Sequence, residues 1–465
     1  MFLEIADSSV VDTRELIVSI IDKKVILSDI EIKKTLGEIS SEVLNGQNYC
    51  RNEYARSILN YPAMMVPSVQ EPIIKGLSEA FQGEVSLLDP FMGASNTLVT
   101  GMKYGLNVFG QDINPLSLLV SQVKTSFYDL DELKSAEASL KFIVDSDCSA
   151  TKEINISNID KWFKVEIQIE LSKLCRAIRK EPCLKIRKFL WVTLAEIIRL
   201  TSNDRTSTFK MHIRSLIDIQ NRNLSAIEYF FTVLKRNIKD INDFCSVLTQ
   251  NGLIENRQYK KKAEVVWGNS VNGLNTQKTF DLLVTSPPYG DNHTTVTYGQ
   301  FSFLPLQWIP VDDIDDKITI NYLRTTQEID TYSLGGKMIN SFKEKEDELF
   351  SKSQSLKQLF ELFNQEETKR ARKVINFIHD LDKSIDIMLP KLRKGAFMVW
   401  TIGNRNVNKR VVRNDLILME LLQSKGIELL TDLERDILSK RMPSRNNFSD
   451  TMSKEKILIF KTSSN

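Results

Sequence analysis

The sequence predicts an α/β fold built on a doubly wound, mainly parallel β-sheet. Short apolar runs recur along the chain, helical patterns separate them, and polar residues follow several runs directly. The runs that predict strands are residues 85–88, 107–110, 263–267, 281–285, 396–402, 427–430 and 456–461. Strands that alternate with helices form parallel sheets, which bind ligands at the carboxyl ends of their strands. We therefore expect four residues at such ends to face one crevice: Asp89, Asp112, Gly268 and Ser286.

The first two runs predict a nucleoside-binding unit. Residues 87–97 read LLDPFMGASNT and residues 107–114 read NVFGQDIN, which gives a strand, a glycine-containing turn, a helix and a second strand ending at Asp112. In α/β folds the turn backbone approaches the ligand, and an acid about 20 residues further on accepts bonds from the ribose hydroxyls. A lone glycine turn is a weak signal, but the Asp-Pro-Phe opening and the acid at the right distance favour nucleoside binding.

The fourth run continues into DLLVTSPPYGD, residues 281–291. Two consecutive prolines fix φ and remove two backbone donors, so carbonyl oxygens are left without a ladder or helix partner. With the Ser286 hydroxyl before them and the Tyr289 ring after them, they predict a pocket for a planar group that bears an exocyclic amine. A Pro-Pro turn also ends ordinary strands, and the upstream unit favours the pocket.

Together these residues resemble the amino-group DNA methyltransferases, whose motifs are typically DPFxGSGTT and S/D/N-P-P-Y. The resemblance implies a class I S-adenosylmethionine-dependent methyltransferase fold, Rossmann-like, with its last strand antiparallel, and S-adenosyl-L-methionine as the cofactor. It implies that Tyr61 lies in a segment that closes over the methionine end of the cofactor, that Asp112 binds the ribose and that Asn269 contacts the adenine. The remaining cofactor-binding residues that it implies lie in the loop after the first strand: Asp89, Phe91, Gly93, Ser95, Asn96 and Thr97. The catalytic residues it implies are Ser286, Pro287, Pro288 and Tyr289.

The resemblance covers residues 50–125, 263–300 and 390–462, with two departures. Ser95 stands where the family usually has a second glycine, which predicts a less close approach of the loop to the cofactor. Asn269 stands where an aspartate is usual, which replaces a group that only accepts hydrogen bonds by one that also donates them.

We expect three parts: a lead-in at residues 1–50, a catalytic domain at 51–125 and 263–465, and a helical insertion at 126–262. Basic residues of the insertion are either a solvated helix surface or a clamp on the DNA backbone, and the candidates are Arg176, Arg179, Lys185 and Arg187. A second, polar insertion at 301–375 is either a mobile arm over the DNA or a solvent-facing helix. Asn404 and Arg405, after the fifth run, are candidates for reaching the crevice or the DNA.

Composition sets the broad class of the protein. Hydrophobic residues make up 42% and charged residues 26% of the 465 residues, which is ordinary for a globular protein, and the formal net charge of +2 neither favours nor excludes DNA. Five scattered cysteines and three histidines show no metal-ligand spacing, so we expect no metal and read Cys183 as structural. Without a membrane-spanning run or a basic leader we expect a cytoplasmic protein.

The reaction that the resemblance implies is methyl transfer to the exocyclic N4 amine of cytosine in double-stranded DNA. Serine in the first position of the catalytic motif is commoner among the cytosine enzymes of the family. Such enzymes belong to restriction-modification systems, so a cognate restriction endonuclease is a possible partner. Three alternatives stay open: an adenine-N6 DNA methyltransferase, a guanine-N2 RNA methyltransferase, and a DNA-binding protein that kept the fold without catalysis.

Overall fold

A computed structural model describes residues 25–47, 49–154, 156–437 and 454–463. Its centre is a seven-stranded sheet: β1 (Ser86–Asp89), β2 (Asn107–Asp112), β3 (Ala263–Trp267), β4 (Phe280–Thr285), β5 (Leu392–Gly403), β6 (Glu428–Asp436) and β7 (Lys454–Lys461). The strand order across the sheet is β6-β7-β5-β4-β1-β2-β3. Only β7 is antiparallel to its neighbours, β5 and β6, so the predicted doubly wound sheet with a reversed last strand is confirmed.

All seven predicted runs coincide with strands, and the largest differences lie at two strand ends. Strand β5 begins four residues before the predicted run, in Leu392–Gly395, and β6 extends six residues beyond it, to Asp436. Strand β6 forms the sheet edge and pairs with β7 over its whole length, so its outer residues need no apolar character. Ion pairs across these two strands replace hydrophobic contacts, for example Arg435 with Glu455 at 2.8 Å.

Seventeen α-helices occur in the described residues. In chain order they are α1 (Asp29–Gly37), α2 (Ser41–Leu44), α3 (Pro67–Ser78), α4 (Asn96–Lys103), α5 (Pro115–Lys124), α6 (Leu130–Ser146), α7 (Ile159–Trp162), α8 (Val165–Arg179), α9 (Leu184–Thr201), α10 (Leu216–Asn221), α11 (Ala226–Gln250), α12 (Tyr298–Leu306), α13 (Glu328–Tyr332), α14 (Phe342–Lys352), α15 (Gln354–Glu361), α16 (Gln365–Met388) and α17 (Asn414–Ser424). Short 3₁₀ turns lie at Arg51–Tyr54, Val311–Asp313 and Leu389–Lys391, and two-stranded hairpins at Ile254–Glu255 with Gln258–Tyr259 and at Arg405–Val407 with Arg410–Val412.

The sheet separates two hydrophobic cores. Successive strand residues point to opposite faces, so Leu87 and Leu282 belong to one core while Leu88 and Leu283 belong to the other. The first core continues into the insertion at 126–262, which is helical as predicted: α6 to α11 lie within it. Because the insertion shares this core with the sheet, its helices pack directly on the catalytic part of the molecule.

The second insertion, residues 301–375, packs on both faces of the sheet. Phe301 and Leu304 of α12 are buried in the first core, whereas Leu356 and Ile375 of α15 and α16 are buried in the second. Neither a mobile arm nor a solvent-facing helix describes this segment. Many of its charged residues are exposed, but Asp313, Glu328, Asp330 and Glu346 are buried.

Two features concern membranes and metals. Within the described ranges, no helix is both long and apolar enough to cross a bilayer. The same ranges contain no group of three or more His, Cys, Asp or Glu side chains placed to hold a metal ion. Cys183, in contrast with the buried Cys175 and Cys245, is an exposed free thiol.

Candidate active site

A cleft opens at the carboxyl edge of the sheet. It is lined by all four residues that the sequence places at strand ends: Asp89, Asp112, Gly268 and Ser286. Strands β1 and β4 are neighbours in the sheet although their last residues, Asp89 and Thr285, are 196 positions apart in the sequence, so their ends meet in space.

The loop after β1 is held by the acid at the end of β2. Asp112 Oδ2 accepts the backbone N–H of Gly93 at 2.9 Å, and Oδ1 accepts that of Asn114 at 2.8 Å. Gly93 has a φ of +47°, a conformation that favours glycine. Burial raises the pKa of Asp112, and these backbone donors oppose that rise. The carboxylate is thus fixed at the cleft wall with lone pairs left for a ligand.

Ser95, one of the two departures, lies with φ +57° in the left-handed region, where the glycine of the related motif would cost least. Its side chain is fully buried, and its hydroxyl bonds to the Ser121 hydroxyl beneath the loop. The prediction of a less close approach to the cofactor is therefore not supported, because the added atoms point into the protein and not into the cleft.

Lys124, at the end of α5, supports the same loop from below and was missed by the sequence analysis. Its ammonium donates to the Ala94 carbonyl at 2.7 Å and to Asn96 Oδ1 at 2.6 Å, and Asn96 Nδ2 donates to the Met65 carbonyl at 2.7 Å. Burial lowers the pKa of Lys124 to about 7. A lysine in the last turn of a helix normally reads as a dipole partner, so the sequence carries little signal of this role.

The segment at residues 61–65 closes one side of the cleft ahead of α3, and all five of its residues line it. Tyr61 is buried, its hydroxyl accepts Asn114 Nδ2 at 2.8 Å, and its ring stacks on Tyr298 with centroids 5.7 Å apart. Phe91 also lines the cleft, at the start of the cofactor loop. Aromatic and apolar groups therefore form this wall.

Asn269 lines the cleft after β3, but its amide is already occupied. Nδ2 donates to the Tyr332 carbonyl at 2.8 Å, and Oδ1 accepts the Val271 N–H at 3.0 Å. An aspartate here would lose the first of these bonds, since it has no donor. The asparagine at this position thus connects the loop after β3 to α13 through its bond to Tyr332.

Asp89 links the cofactor loop to the catalytic strand. Its Oδ1 accepts the Thr285 hydroxyl at 2.7 Å and the Phe91 N–H at 3.2 Å. Burial raises the pKa of Asp89 to about 6, and hydrogen bonds from Thr285 and Thr97 oppose the rise. Because Thr285 immediately precedes Ser286, the two loops are joined at the base of the cleft.

In the catalytic loop, Ser286 and Pro288 line the cleft and Pro287 is buried behind them. The Tyr289 hydroxyl lies 3.2 Å from Ser286 Oγ and donates to Glu455 Oε1 of β7 at 2.9 Å. Its ring packs against the second core. Burial, then the Glu455 carboxylate, raises the pKa of Tyr289 well above its usual value. The ring therefore faces β7 and lies outside the lining of the cleft.

Asn292 is a further cleft residue that the sequence analysis missed. It follows the catalytic loop, is 2% exposed, and its Oδ1 has no hydrogen-bond partner among the described residues. A buried acceptor without a partner is costly unless a ligand satisfies it. The neighbouring His293 is half-buried, and burial lowers its pKa.

Asn404 and Arg405 lie beside the catalytic loop, where both side chains are engaged within the protein. Asn404 Oδ1 accepts the Asp415 N–H at 3.2 Å, and Arg405 Nη1 lies 3.4 Å from Asp291 Oδ2. Lys373 of α16 approaches the other oxygen of Asp291 at 3.7 Å.

The four basic candidates of the helical insertion also have partners. Arg176 pairs with Asp147 at 2.8 Å and with Glu153 at 3.1 Å, and Arg179 pairs with Glu153 at 2.8 Å. Two further contacts involve the start of α9: Arg187 binds both oxygens of Asp313 at 2.8 Å, and Lys185 donates to the Phe127 carbonyl at 3.0 Å. The three arginines thus form ion pairs within the protein, Lys185 bonds to the backbone, and none of the four lines the cleft.

The strand order, the reversed β7 and the cleft at the carboxyl edge define a class I S-adenosylmethionine-dependent methyltransferase fold. The chain is 33% identical over 422 residues to the Type II methyltransferase M.MvaI of Kocuria varians, an alignment that covers 86% of this chain and 89% of that protein. The chain therefore belongs to the Type II methyltransferases. These relatives support an enzyme that methylates DNA, and with the fold they imply S-adenosylmethionine as methyl donor.

Two further relatives match shorter parts. The Type II methyltransferase M.MjaII of Methanocaldococcus jannaschii is 31% identical over 123 residues, 26% of this chain and 21% of that protein. M.BsoBI of Geobacillus stearothermophilus, also a Type II methyltransferase, is 24% identical over 282 residues, 52% of this chain and 50% of that protein. No protein-family model matches the chain.

Proposed function

We propose that the protein methylates the exocyclic N4 amine of cytosine at a specific DNA site, within a restriction-modification or related system that includes a cognate endonuclease. The observation that carries this proposal is the position of Ser286 and Pro288. They line the same cleft as Gly93 and Asp112, and they follow a central strand directly. One cleft thus holds both a loop suited to a nucleoside cofactor and acceptors suited to an amine.

The groups that line the cleft fit S-adenosylmethionine in their chemistry. Asp112 is placed to accept the ribose hydroxyls, the left-handed turn at Gly93 lets the backbone come close, and the segment at residues 61–65 covers the methionine end. When bound, this cofactor supplies an electrophilic methyl group on its sulfonium. The remaining catalytic work falls to the chain itself.

The amine of cytosine is a poor nucleophile because its lone pair is delocalised into the ring. The base must first leave the duplex, at a cost of a few kcal/mol. We infer that the Ser286 hydroxyl and the Pro287 carbonyl then accept its two N–H bonds. These acceptors draw the nitrogen towards tetrahedral geometry and stabilise the positive charge that develops during attack. The methyl group passes from sulfur to nitrogen, the thioether product leaves, and the nitrogen loses one of its two protons to solvent.

Tyr289 is the proposed stacking residue for the flipped base. Because its hydroxyl bonds to Glu455, stacking requires the ring to turn from β7 into the cleft. Tyr289→Phe removes this bond and keeps the ring, so it should bind the base at least as well as the wild type. Tyr289→Ala should weaken base capture by roughly 1–3 kcal/mol.

The test of the proposed reaction is the identity of the modified nucleoside. Genomic DNA from cells that express the wild type or Ser286→Ala is digested and analysed by mass spectrometry. We expect N4-methylcytosine with the wild type only. N6-methyladenine would overturn the cytosine assignment and leave a DNA methyltransferase, and a modified base confined to RNA would overturn the DNA substrate.

The helical insertion is the proposed DNA-recognition part, and the better candidates for contact are its cations that form no ion pair with any described residue. Arg205 and Lys210 are exposed on the turn between β-bridged Asp204 and Ile213. This turn packs on α12, where Phe209 meets Phe301 edge-to-face, and Phe301 in turn contacts Tyr61 of the cleft wall.

The two groups of cations are compared by the salt dependence of DNA binding. Arg205→Gln with Lys210→Gln should flatten the plot of log affinity against log salt. Arg176→Gln with Arg179→Gln should lower stability by breaking ion pairs. If only the Arg176→Gln, Arg179→Gln variant flattens the plot, the result would support the clamp on the DNA backbone that the sequence predicted.

A further inference from the structure

A basic hairpin rises beside the catalytic loop. Its strands, Arg405–Val407 and Arg410–Val412, pair antiparallel, and the turn between them is formed by Asn408 and Lys409 with φ of +51° and +62°. Two-residue turns with positive φ at both positions match the twist of a hairpin. Residues 405–413 contain four basic residues and no acidic one, in a chain whose formal net charge is only +2.

The base of this hairpin is fastened to the catalytic loop on both sides. Asn414 Nδ2 donates to the Tyr289 carbonyl at 3.0 Å and to the Gly403 carbonyl at 2.8 Å. Arg405 pairs with the fully buried Asp291 and lies against Gly290, where an added Cβ would stand 1.7 Å from the guanidinium. Arg405 and Asn414 therefore attach the base of the hairpin to the catalytic loop.

The tip of the hairpin is joined to the start of α16. Asn408 Nδ2 donates to the Glu367 carbonyl at 3.0 Å, and the next turns of α16 carry four cations in five residues, 369–373. Lys409 and Arg370 are exposed and form no ion pair with any described residue. Two unpaired cations thus stand on a rigid support next to the catalytic loop.

We propose that this hairpin surface, Lys409 with Arg370, binds the phosphate backbone of duplex DNA beside the flipped base. The proposal rests on the proposed function, since it names the surface by which that substrate docks. A flipped nucleotide stays bonded to its strand, so the backbone must run past the mouth of the cleft. Phosphate contacts position a protein on DNA without reading its sequence, and here they would set the height of the duplex above Ser286.

The test compares two variants of equal charge change. Lys409→Gln with Arg370→Gln removes the proposed contacts. Lys260→Gln with Lys262→Gln removes two exposed cations that precede β3, at the opposite edge of the sheet. Affinity for a short labelled duplex is measured by fluorescence anisotropy over a range of salt concentrations. Cofactor affinity, measured by calorimetry, should be unchanged in both variants and serves as the check on folding.

We expect the slope of log affinity against log salt to become shallower by about 2 in the hairpin variant, since each lost phosphate contact contributes about 0.9. The control should keep the wild-type slope. If the wild type methylates DNA and the hairpin variant keeps its slope, the docking surface is wrong and the proposed function stands. If the wild type neither binds nor methylates the duplex, both proposals fall.

Discussion

Asp112→Asn tests the cofactor site with the smallest possible change in shape. Both carboxylate oxygens accept a backbone N–H, from Gly93 at 2.9 Å and from Asn114 at 2.8 Å. The asparagine amide has one acceptor, and its NH₂ group must face one of these two donors. One charge-assisted hydrogen bond is lost and a donor meets a donor, so we expect a loss of unfolding free energy of roughly 1–3 kcal/mol.

Asp112→Asn should also lower the affinity for the cofactor, because the negatively charged carboxylate that would accept hydrogen bonds from the ribose hydroxyls is gone. A loss of roughly 1.5–3 kcal/mol corresponds to a dissociation constant about 10- to 150-fold higher. Calorimetry with S-adenosylhomocysteine, the demethylated product, measures it, and urea unfolding of the free protein measures the stability cost separately. Asp145→Asn, a change of the same kind in an exposed pair with Lys141, is the matched control. A folded Asp112→Asn protein with wild-type affinity would refute the assignment.

Three further outcomes are expected. Ser286→Ala should fold normally and lose about 10²-fold or more in single-turnover methyl transfer, as loss of one preorganised polar contact does elsewhere; an unchanged rate would place catalysis in another loop. Lys124→Met removes two hydrogen bonds under the cofactor loop and should weaken cofactor binding more than Lys75→Met, the control, which changes an exposed lysine of α3. Equal cofactor affinities of the two variants would make Lys124 purely structural. Burial raises the pKa of Asp330 to about 7 and lowers that of Lys124 to about 7, so between pH 6 and pH 8 the carboxyl makes the unfolding free energy fall and the lysine makes it rise. The difference in unfolding free energy between the wild type and Asp330→Asn should therefore fall by about 1.4 kcal/mol from pH 6 to pH 8, and a difference that stays constant would contradict the assignment to Asp330.

The sheet was predictable because its strands are apolar runs that end in polar residues. Every predicted run is a strand, and the acids and serine at their ends meet in one cleft. The largest errors lie at the start of β5 and the end of β6, and β6 could extend beyond its apolar run because an edge strand needs no apolar outer face. For these strands the local pattern of apolar residues matches their buried position in the sheet, so a single sequence is enough to locate them.

The partners of charged side chains were not predictable, because they come from distant parts of the chain. From the sequence, Arg187 is interpreted as a free cation of a basic helix, whereas the structure pairs it with Asp313. Arg405 is interpreted as a DNA contact, whereas the structure pairs it with Asp291. Lys124 and Asn292 lie in apolar or loop sequence without any motif. Burial and orientation decide their roles, and both depend on long-range packing.

The pairing of β1 with β4 sets the relative position of the two loops that follow these strands. Leu87 and Leu282 are direct partners in the sheet, and the bond from Thr285 to Asp89 joins the same two strands at their carboxyl ends. The two loops therefore start one lateral strand spacing apart, roughly 4.8 Å. The segment between α5 and β3 leaves and re-enters the sheet elsewhere, but Leu171 and Leu194 in it belong to the same core as Leu87 and Leu282. A protein engineer who exchanges that segment must therefore keep the apolar side chains that fill this core, so that the two strands stay in register.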